Sequence, residues 1–429
     1  MDTKIIIKKQ PKVNENSDLE NYSKEELIQK VISLTAHNTQ LKNIIAKSAI
    51  QEQKQKSAKP FDFSKCKFKH VALKIFYLGW EYKGFVVQED TTQTVEYHLF
   101  EALTRARLIR DRPSSNYHRC GRTDKGVSAF GQVISIDLRS NLSENESNNF
   151  EKEIDYCKVL NSILPDSIQC VAWSPVDATF SARFDCSCRT YRYYFPKGSL
   201  DIASMKVAAE KLLGPHDFRN FCKMDVGNGV TEFIRNISAI NIEPVCDQNI
   251  DDGYSIYMIA IRSKAFLWHQ IRCIMGILFL IGQNKEEPNL INELLDVEKT
   301  PRKPEYRMAN ELPLNLYFCE YDGIKWHYND SLNQVIEKLS SLWTTHALKE
   351  TMLKDMLISL KNDLQTVCSN NEDKHEKCLS EHLLPKHSPN NYLPVMKRQT
   401  CNSLESKIEH FAKRKRIQIV EGNSGNISK

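Results

Sequence analysis

The sequence predicts an α+β fold. Segments in which apolar residues alternate at strand spacing are mixed with fewer segments at helical spacing, and short links join them. A doubly wound sheet would instead alternate strand and helix regularly along the chain. With 429 residues, the chain has room for one large domain or two medium ones.

The strand pattern starts where the body of the chain begins, near Cys66. Four apolar residues there stand at every second position: Val71, Leu73, Ile75 and Tyr77. Later segments predicted as strands are Ile134, Ile136 and Leu138, then Tyr191, Tyr193 and Phe195, and finally residues 255–262.

Helical spacing predicts helices between these strands. The first helix begins after Thr94. Its apolar residues recur at every fourth position: Val95, Leu99 and Leu103. The second helix covers residues 205–213 and ends at Gly214, because Pro215 cannot continue a helix. The third has a wide apolar face formed by Leu267, Ile271, Ile274, Met275 and Leu278.

The N-terminal extension has the spacing of a coiled-coil seam. Two interleaved series stand seven residues apart: Leu27, Leu34 and Leu41, and Val31, Asn38 and Ile45. A polar Asn38 at a core position would favour one register. The same spacing also fits a solitary amphipathic helix lying on the body, and both interpretations stay open.

We predict four segments along the chain: residues 1–60 as a helical or coiled-coil extension with a linker, residues 66–180 and 181–330 as two subdomains of the body, and residues 331–429 as a helical or flexible basic tail. The tail carries a basic cluster of Lys407, Lys413, Arg414, Lys415 and Arg416. Such a cluster fits a nuclear-import signal, a phosphate-contacting tail or a solvated surface helix.

The composition is that of an ordinary globular protein, with 41% hydrophobic and 26% charged residues. The 59 basic and 54 acidic residues leave a net charge of +5, which only weakly suggests an anionic partner. Thirteen cysteines are present without a C-x-x-C pair, so we expect reduced structural thiols and a nuclear or cytoplasmic address. No secretory start and no apolar run long enough for a membrane span is predicted.

The segment that carries chemistry is residues 118–132, a glycine-rich and charged loop between a helix and a strand. Asp124 lies there between Arg122 and Lys125, whose opposite charges are expected to hold it ionised as a nucleophile or base. From the residues alone, an ordinary charged turn is the commoner explanation of such a segment.

The loop resembles the signature of the tRNA pseudouridine synthase family. Residues 121–129 carry the resemblance as Gly-Arg-Thr-Asp-Lys-Gly-Val-Ser-Ala. Further blocks resemble that family in the same order: residues 77–88, 180–184 with 189–193, 265–272, and 312–316, where Asn315 replaces a common glycine. The loop and both terminal extensions are most similar to the eukaryotic branch, whose members act at tRNA positions 38 and 39.

The resemblance implies a fold and a set of roles. The fold would be a mixed, mostly antiparallel sheet flanked by helices, with a central RNA-binding cleft. Asp124 would be the catalytic residue, and Arg122 would help flip the target nucleotide and fill its space. Tyr191 would pack on the target base, and Arg272 would form an ion pair with Asp124. Lys125 would join Arg122, Tyr191 and Arg272 as a substrate-binding residue.

The family's reaction breaks a C–N glycosidic bond, turns the freed uracil and rejoins it through carbon. Positive character develops on the sugar during bond breaking, as in glycoside hydrolysis. A buried carboxylate could stabilise that charge, attack C1′ or remove the 2′ proton, and the sequence leaves these routes open. The reaction requires no metal and no cofactor, and we expect neither. The expected partners are the anticodon arm of tRNA and a second copy of the chain, with no membrane.

Phosphate contacts are expected from arginines close to the loop in sequence: Arg105, Arg107, Arg110, Arg112, Arg119 and Arg139. His118, His216 and His269 are expected to be hydrogen-bonded or RNA-contacting residues rather than acid–base catalysts. Alternative hypotheses are the same chemistry at another tRNA position, a catalytically silent RNA-binding factor, and a coiled-coil scaffold that acts through its first sixty residues.

Overall fold

The computed structural model describes residues 61–142, 152–224, 230, 232–245, 255–367 and 392–415, together with Ile28, Val31, Thr35 and Thr39. The chain divides into two compact units, Met1–Asp62 and Phe63–Lys429. Among the helices of the described residues, none combines the length and the apolarity of a membrane span.

In the first unit, Ile28, Val31, Thr35 and Thr39 are helical and exposed. The Thr35 hydroxyl donates to the Val31 carbonyl at 2.7 Å, and the Thr39 hydroxyl donates to the Thr35 carbonyl at 2.9 Å. This i to i−4 bonding is typical of threonine within a helix. The other residues of the predicted coiled-coil repeat lie outside the described residues, so the coiled coil stays a prediction.

Within its described residues, the second unit contains a sheet of nine strands. The strands are β1 (Lys67–Tyr77), β2 (His118–Arg119), β3 (Ser128–Ser140), β4 (Ile168–Pro175), β5 (Cys186–Pro196), β6 (Gly214–Asp217), β7 (Ile234–Pro244), β8 (Ile256–Ser263) and β9 (Leu314–Tyr321). Their order is β4-β1-β3-β9-β5-β8-β7-β6, and β2 pairs with β3. Every pair between these strands is antiparallel except β3–β9, which confirms the predicted mixed sheet.

Helices flank the sheet, as predicted. They are α1 (Val95–Arg105), α2 (Tyr156–Asn161), α3 (Ile202–Glu210), α4 (Gln270–Gly282), α5 (Leu290–Leu295), α6 (Ser331–Val367) and α7 (Leu404–Lys415). Side-chain oxygens of Thr94, Asp155 and Asp201 accept backbone N–H groups at the N-termini of α1, α2 and α3. These caps satisfy donors that have no partner inside the helix, so they fix where each helix begins.

Two predicted helix boundaries are wrong. Helix α3 ends at Glu210, three residues before the predicted end, and Gly214 begins strand β6 with a positive φ of 92°. Helix α4 begins at Gln270 because His269 is in the left-handed conformation with φ of 61°. Helix α6 contains 37 residues, where the sequence predicted only a helical or flexible tail.

The sheet carries two separate hydrophobic cores. Buried residues of β1, β3 and β4 pack with those of α1 and α2, whereas those of β5, β7 and β8 pack with α3, α4 and α5. The partly buried Tyr191 packs against both cores. The predicted boundary near residue 180 stays a prediction, because Ala182 and Cys186 belong to the first core and one sheet runs through both cores.

Strands β3 and β9 join the two halves of the sheet, and we call this contact the seam. Its parallel ladder has only two residue pairs, Ser128 with Asn315 and Ala129 with Leu316. Beyond the ladder, the side-chain oxygen of Asn315 accepts the N–H of Phe130 at 3.0 Å. A Cβ atom at Gly131 would lie 2.5 Å from the Tyr317 carbonyl oxygen, so this close approach requires glycine.

Candidate active site

A cleft of 980 Å³ opens at the seam. Residues of the 118–127 loop form one side of it, and residues of β5 and of the segment leading into α4 form the other. Its lining includes Asp124, Arg122, Tyr191 and Arg272, four of the five predicted site residues. Lys125 is exposed and is not part of the lining, so the structure gives no support to its predicted role in substrate binding.

Hydrogen bonds to the sheet fix the conformation of this loop. The side chain of Gln132 on β3 accepts the Gly121 N–H at 3.3 Å and donates to the Gly121 carbonyl at 3.0 Å. The hydroxyls of Tyr77 and Thr123 lie 2.7 Å apart in a buried hydrogen bond. The positive φ of Gly126, 78°, lets the chain turn just after Asp124. The Asp124 side chain is therefore held at a defined place in the cleft.

Asp124 is mostly buried, with 28% of its side chain exposed. The indole N–H of Trp268 donates to Oδ1 at 3.0 Å, and Nε2 of His269 lies 3.4 Å from Oδ2. Burial raises the pKa of Asp124 above its ordinary value, although the Trp268 hydrogen bond and the Arg272 charge act in the opposite direction. The cations that most favour the ionised form are Arg272 and Lys223 rather than the predicted Arg122 and Lys125, and burial outweighs them.

Arg272 is paired with a different carboxylate from the predicted one. Its Nη2 atom lies 2.7 Å from Oε2 of Glu311, and its Nε donates to the Ala309 carbonyl at 2.8 Å. The predicted ion pair with Asp124 is wrong, whereas the expectation that this buried arginine needs an acidic partner is right. The sequence did not indicate Glu311, because it lies outside the helix and just before β9.

His269 is the histidine closest to the catalytic candidate. Burial, together with the charges of Arg272 and Lys223, lowers the pKa of His269 to about 4. The ring is therefore neutral at physiological pH, and its Nδ1 atom is buried with no hydrogen-bond partner. A neutral imidazole can donate one N–H to Asp124 without adding charge to the site. His118 lines the cleft, whereas Nε2 of His216 bonds to the Leu213 carbonyl at 2.8 Å.

Aromatic rings line the cleft next to Asp124. Tyr191 packs edge-to-face on Phe266, with ring centroids 5.2 Å apart, and burial raises the pKa of its phenol well above the ordinary value. Trp268 lies under the ammonium of Lys223, which is 4.6 Å from the ring centroid. Phe184 also lines the cleft and is 70% exposed. Such faces can stack on a base that has left its helix.

Two of the predicted phosphate-contacting arginines are engaged by a buried carboxylate. Glu96 is fully buried, and it accepts from Arg112 at 2.9 Å and from Arg119 at 2.8 Å. It also accepts the hydroxyl of Tyr117 and the N–H of Val87. Of the six predicted arginines, Arg119 lines the cleft.

Other cations line the cleft that sequence reasoning did not single out: Arg183, Arg189, Lys223, Arg235 and Lys264. Their position could have indicated these cations in the sequence, because several of them lie in or beside the blocks 180–193 and 265–272. Arg189 is occupied by the backbone, because its guanidinium donates to the carbonyls of Cys120 and Arg183. The arrangement combines basic and aromatic walls with one half-buried carboxylate. This arrangement can bind a single-stranded polyanion and position a carboxylate next to one of its sugars.

The chain is similar to proteins of known activity. Residues 208–322 match the sequence profile of the family described as tRNA pseudouridine synthase. The tRNA pseudouridine(38/39) synthases of Mus musculus and Homo sapiens are each 44% identical, over 94% of this chain and 91% and 90% of those proteins. The protein of that name from Saccharomyces cerevisiae is 41% identical, over 71% of this chain and 72% of its own length.

Replacing Asp124 by Asn is expected to stabilise the chain at neutral pH. The folded-state pKa of Asp124 is raised, so its contribution to stability is fully present below the ordinary value of 3.8 and is lost as pH rises through the folded-state pKa. Urea unfolding over a pH series measures this. Asp124→Asn should match the wild type in acid and exceed it at neutral pH.

Asp111→Asn provides a control of opposite sign. The Ser114 N–H donates to Asp111 at 2.9 Å and holds the pKa of this exposed carboxyl below its ordinary value. Its replacement should therefore lower stability at neutral pH. A loss of stability in Asp124→Asn at neutral pH, or a difference that does not change with pH, would contradict the burial of this carboxyl.

Proposed function

Because the chain belongs to the tRNA pseudouridine synthase family, we propose that it isomerises uridine to pseudouridine at positions 38 and 39 of the tRNA anticodon stem-loop. Its similarity to the mouse and human synthases extends over nearly the whole of both chains. The observation that carries the proposal is the position of Asp124, half-buried in a cleft with basic and aromatic walls.

Asp124 is the catalytic residue of the proposed reaction. The bond between uracil N1 and C1′ breaks, C5 of the turned base bonds to C1′, and the C5 proton is replaced by a proton on N1. Atoms and electrons balance within the substrate, so the isomerase needs no oxidant and no co-substrate. Stabilisation of the sugar cation, attack on C1′ and removal of the 2′ proton all require the ionised carboxylate.

Substrate binding in this proposal depends on both walls of the cleft. Arg183, Lys223, Arg235 and Lys264 are placed to contact phosphates, and their contribution weakens as salt rises. The target base must leave the stem-loop stack to reach Asp124. Tyr191 is proposed to pack on that base, and Arg122 to fill the space that it leaves. Both residues line the cleft.

The activity test uses an anticodon stem-loop transcript with uridine at positions 38 and 39. Wild-type chain should form pseudouridine at these positions, and Asp124→Asn should lose activity by at least about 10³-fold while it still binds the RNA. Asp111→Asn, which changes an exposed carboxyl outside the cleft, should keep full activity. Product from Asp124→Asn, or none from the wild type, would contradict the proposal.

The proposed active form is a homodimer, and helix α6 supports this. The N-terminal half of α6 packs on the body: Val335 packs with Phe76 and Val171, and the Lys338 ammonium lies 3.1 Å from Asp166. The distal half exposes a row of apolar side chains, each at least 57% exposed: Leu348, Met352, Leu353, Met356 and Leu360. Such a continuous apolar face on a solvent-exposed helix is typical of an interaction surface.

The charges along this face favour a second copy of the chain over RNA. Between residues 348 and 363, the helix carries three lysines and three acidic residues: Lys349, Lys354 and Lys361, and Glu350, Asp355 and Asp363. The segment is therefore neutral, since 3 − 3 is 0. It would neither attract a polyanion nor repel its own copy, and an isologous pairing can place opposite charges together.

Leu353→Glu combined with Met356→Glu is expected to convert the dimer to a monomer, because the variant buries charge in the apolar contact. Analytical ultracentrifugation measures the mass of each form. Asn362→Glu, a charge placed on another exposed position of α6, serves as the matched control and should leave the dimer intact. A monomeric wild type, or a double variant that stays dimeric, would contradict this role of α6.

The proposed compartment is the nucleus, the cytoplasm or both. All ten cysteines among the described residues carry free thiols, which is the state that these reducing compartments maintain. Part of the basic cluster lies in α7, so a nuclear-import signal there would be presented on a helix. Fluorescent tagging in cells tests the assignment, and a signal confined to the secretory pathway would contradict it.

A further inference from the structure

Three cysteines that are far apart in the sequence meet on the wall of the cleft, and we call them the thiol cluster: Cys120, Cys186 and Cys319. Their Sγ atoms all lie within 4.8 Å of one another, and those of Cys120 and Cys319 are 3.3 Å apart. All three residues are buried. Cys120 directly precedes the catalytic loop, Cys186 begins β5, and Cys319 lies in β9.

The spacing of these sulfur atoms fits metal ligands. Zinc binds thiolate sulfur at about 2.3 Å, so two thiolates on one tetrahedral zinc ion are separated by about 3.8 Å. The separation between Cys120 and Cys319 is 3.3 Å, and the other two separations are at most 4.8 Å. Small shifts of the side chains would therefore bring all three sulfurs into coordination, without any change in the strands.

We propose that the thiol cluster binds one thiophilic divalent cation of the zinc class. The sequence predicted no metal site, because no two of these cysteines stand in a C-x-x-C motif. Thiolates are soft ligands that favour zinc and cadmium over magnesium or calcium. Among the described residues, no fourth histidine, cysteine or carboxylate joins the cluster, so one coordination position would stay open for water.

The surroundings of the cluster compensate its charge. Three thiolates and one divalent cation carry a net charge of −1, and the guanidinium of Arg189 beside them carries +1. Arg189 is held there by its hydrogen bond to the Cys120 carbonyl at 2.9 Å. Hydrogen bonds with the thiols of Cys186 and Cys319, together with the charge of Arg189, hold the pKa of Cys120 well below its ordinary value. Binding would release the remaining thiol protons to solvent.

A path to the cluster exists, because Cys120 and Cys186 both line the cleft. A bound cation would connect the start of the catalytic loop to β5 and β9, across the seam. It would therefore stabilise the loop that carries Asp124, without taking part in the isomerisation. Metal binding to this cluster needs no RNA, so its test is independent of the proposed function.

The test is a titration of the reduced, chelator-treated full chain with Zn²⁺ and with Cd²⁺. The wild type should bind one ion per chain at this site, and Cd²⁺ should produce the ultraviolet charge-transfer absorption of thiolate coordination. The variant Cys186→Ser with Cys319→Ser removes two ligands and should weaken binding by roughly 100-fold or more. Its matched control is Cys157→Ser with Cys170→Ser, a buried pair with Sγ atoms 3.4 Å apart and no third thiol nearby.

Binding by the control at wild-type affinity, together with loss in the first variant, would support the site. Equal binding by all three proteins would overturn it, as would equal loss in both variants. A second measurement uses the wild type alone, because the first variant could fail to fold. Bound Zn²⁺ should protect Cys120, Cys186 and Cys319 from alkylation, but not Cys157 and Cys170. Uniform alkylation with and without Zn²⁺ would also overturn the proposal.

Discussion

The pairing of β3 with β9 at the seam is the constraint on which the active site depends. This ladder has only two residue pairs, and it joins the two halves of the sheet. The cleft opens beside it, since Val127 and Leu314 both line the cleft. The groups of the site stand close to this ladder in sequence: Asp124 lies four residues before β3, and Glu311 lies three residues before β9. Tyr191 belongs to β5 and packs against both cores.

The location of the active site at the seam also determines which charged groups pair with one another. Arg272 directs its donors to Glu311 and Ala309, so the oxygens of Asp124 meet Trp268 and a neutral His269. A carboxylate that is bonded to neutral donors can exchange them for a substrate without the loss of an ion pair. Burial without a direct cation keeps the pKa of Asp124 raised, and it also strengthens the field that the carboxylate exerts on a developing sugar cation.

The local parts of this structure could be predicted from the sequence. The alternation of Val71, Leu73, Ile75 and Tyr77 is sufficient for β1, because all four side chains are buried on one face of that strand. The glycine-rich loop around Asp124 was also recognisable from the sequence, because its residues are adjacent in the chain. The extent of α6 could not be predicted, and the tail was given only as helical or flexible, because most of the described side chains of this helix are exposed and only its N-terminal half packs on the body.

Long-range pairings could not be predicted. Arg272 had two carboxylates within range, and the choice of Glu311 depends on where the segment before β9 lies in space. The thiol cluster joins residues that are as much as 199 positions apart, which no local spacing reveals. Trp268 belonged to a recognised block, but its hydrogen bond to Asp124 could not be predicted. That bond depends on the left-handed conformation of His269, the residue just before α4.

The most direct test of the account is the pH dependence of single-turnover pseudouridine formation on a full-length tRNA. The account requires an ionised Asp124 whose pKa is raised by burial, so the rate should rise with pH through one ionisation above the ordinary value of 3.8 and then become constant. A rate that stays constant down to pH 3.8, or one that falls as pH rises through this range, would contradict it.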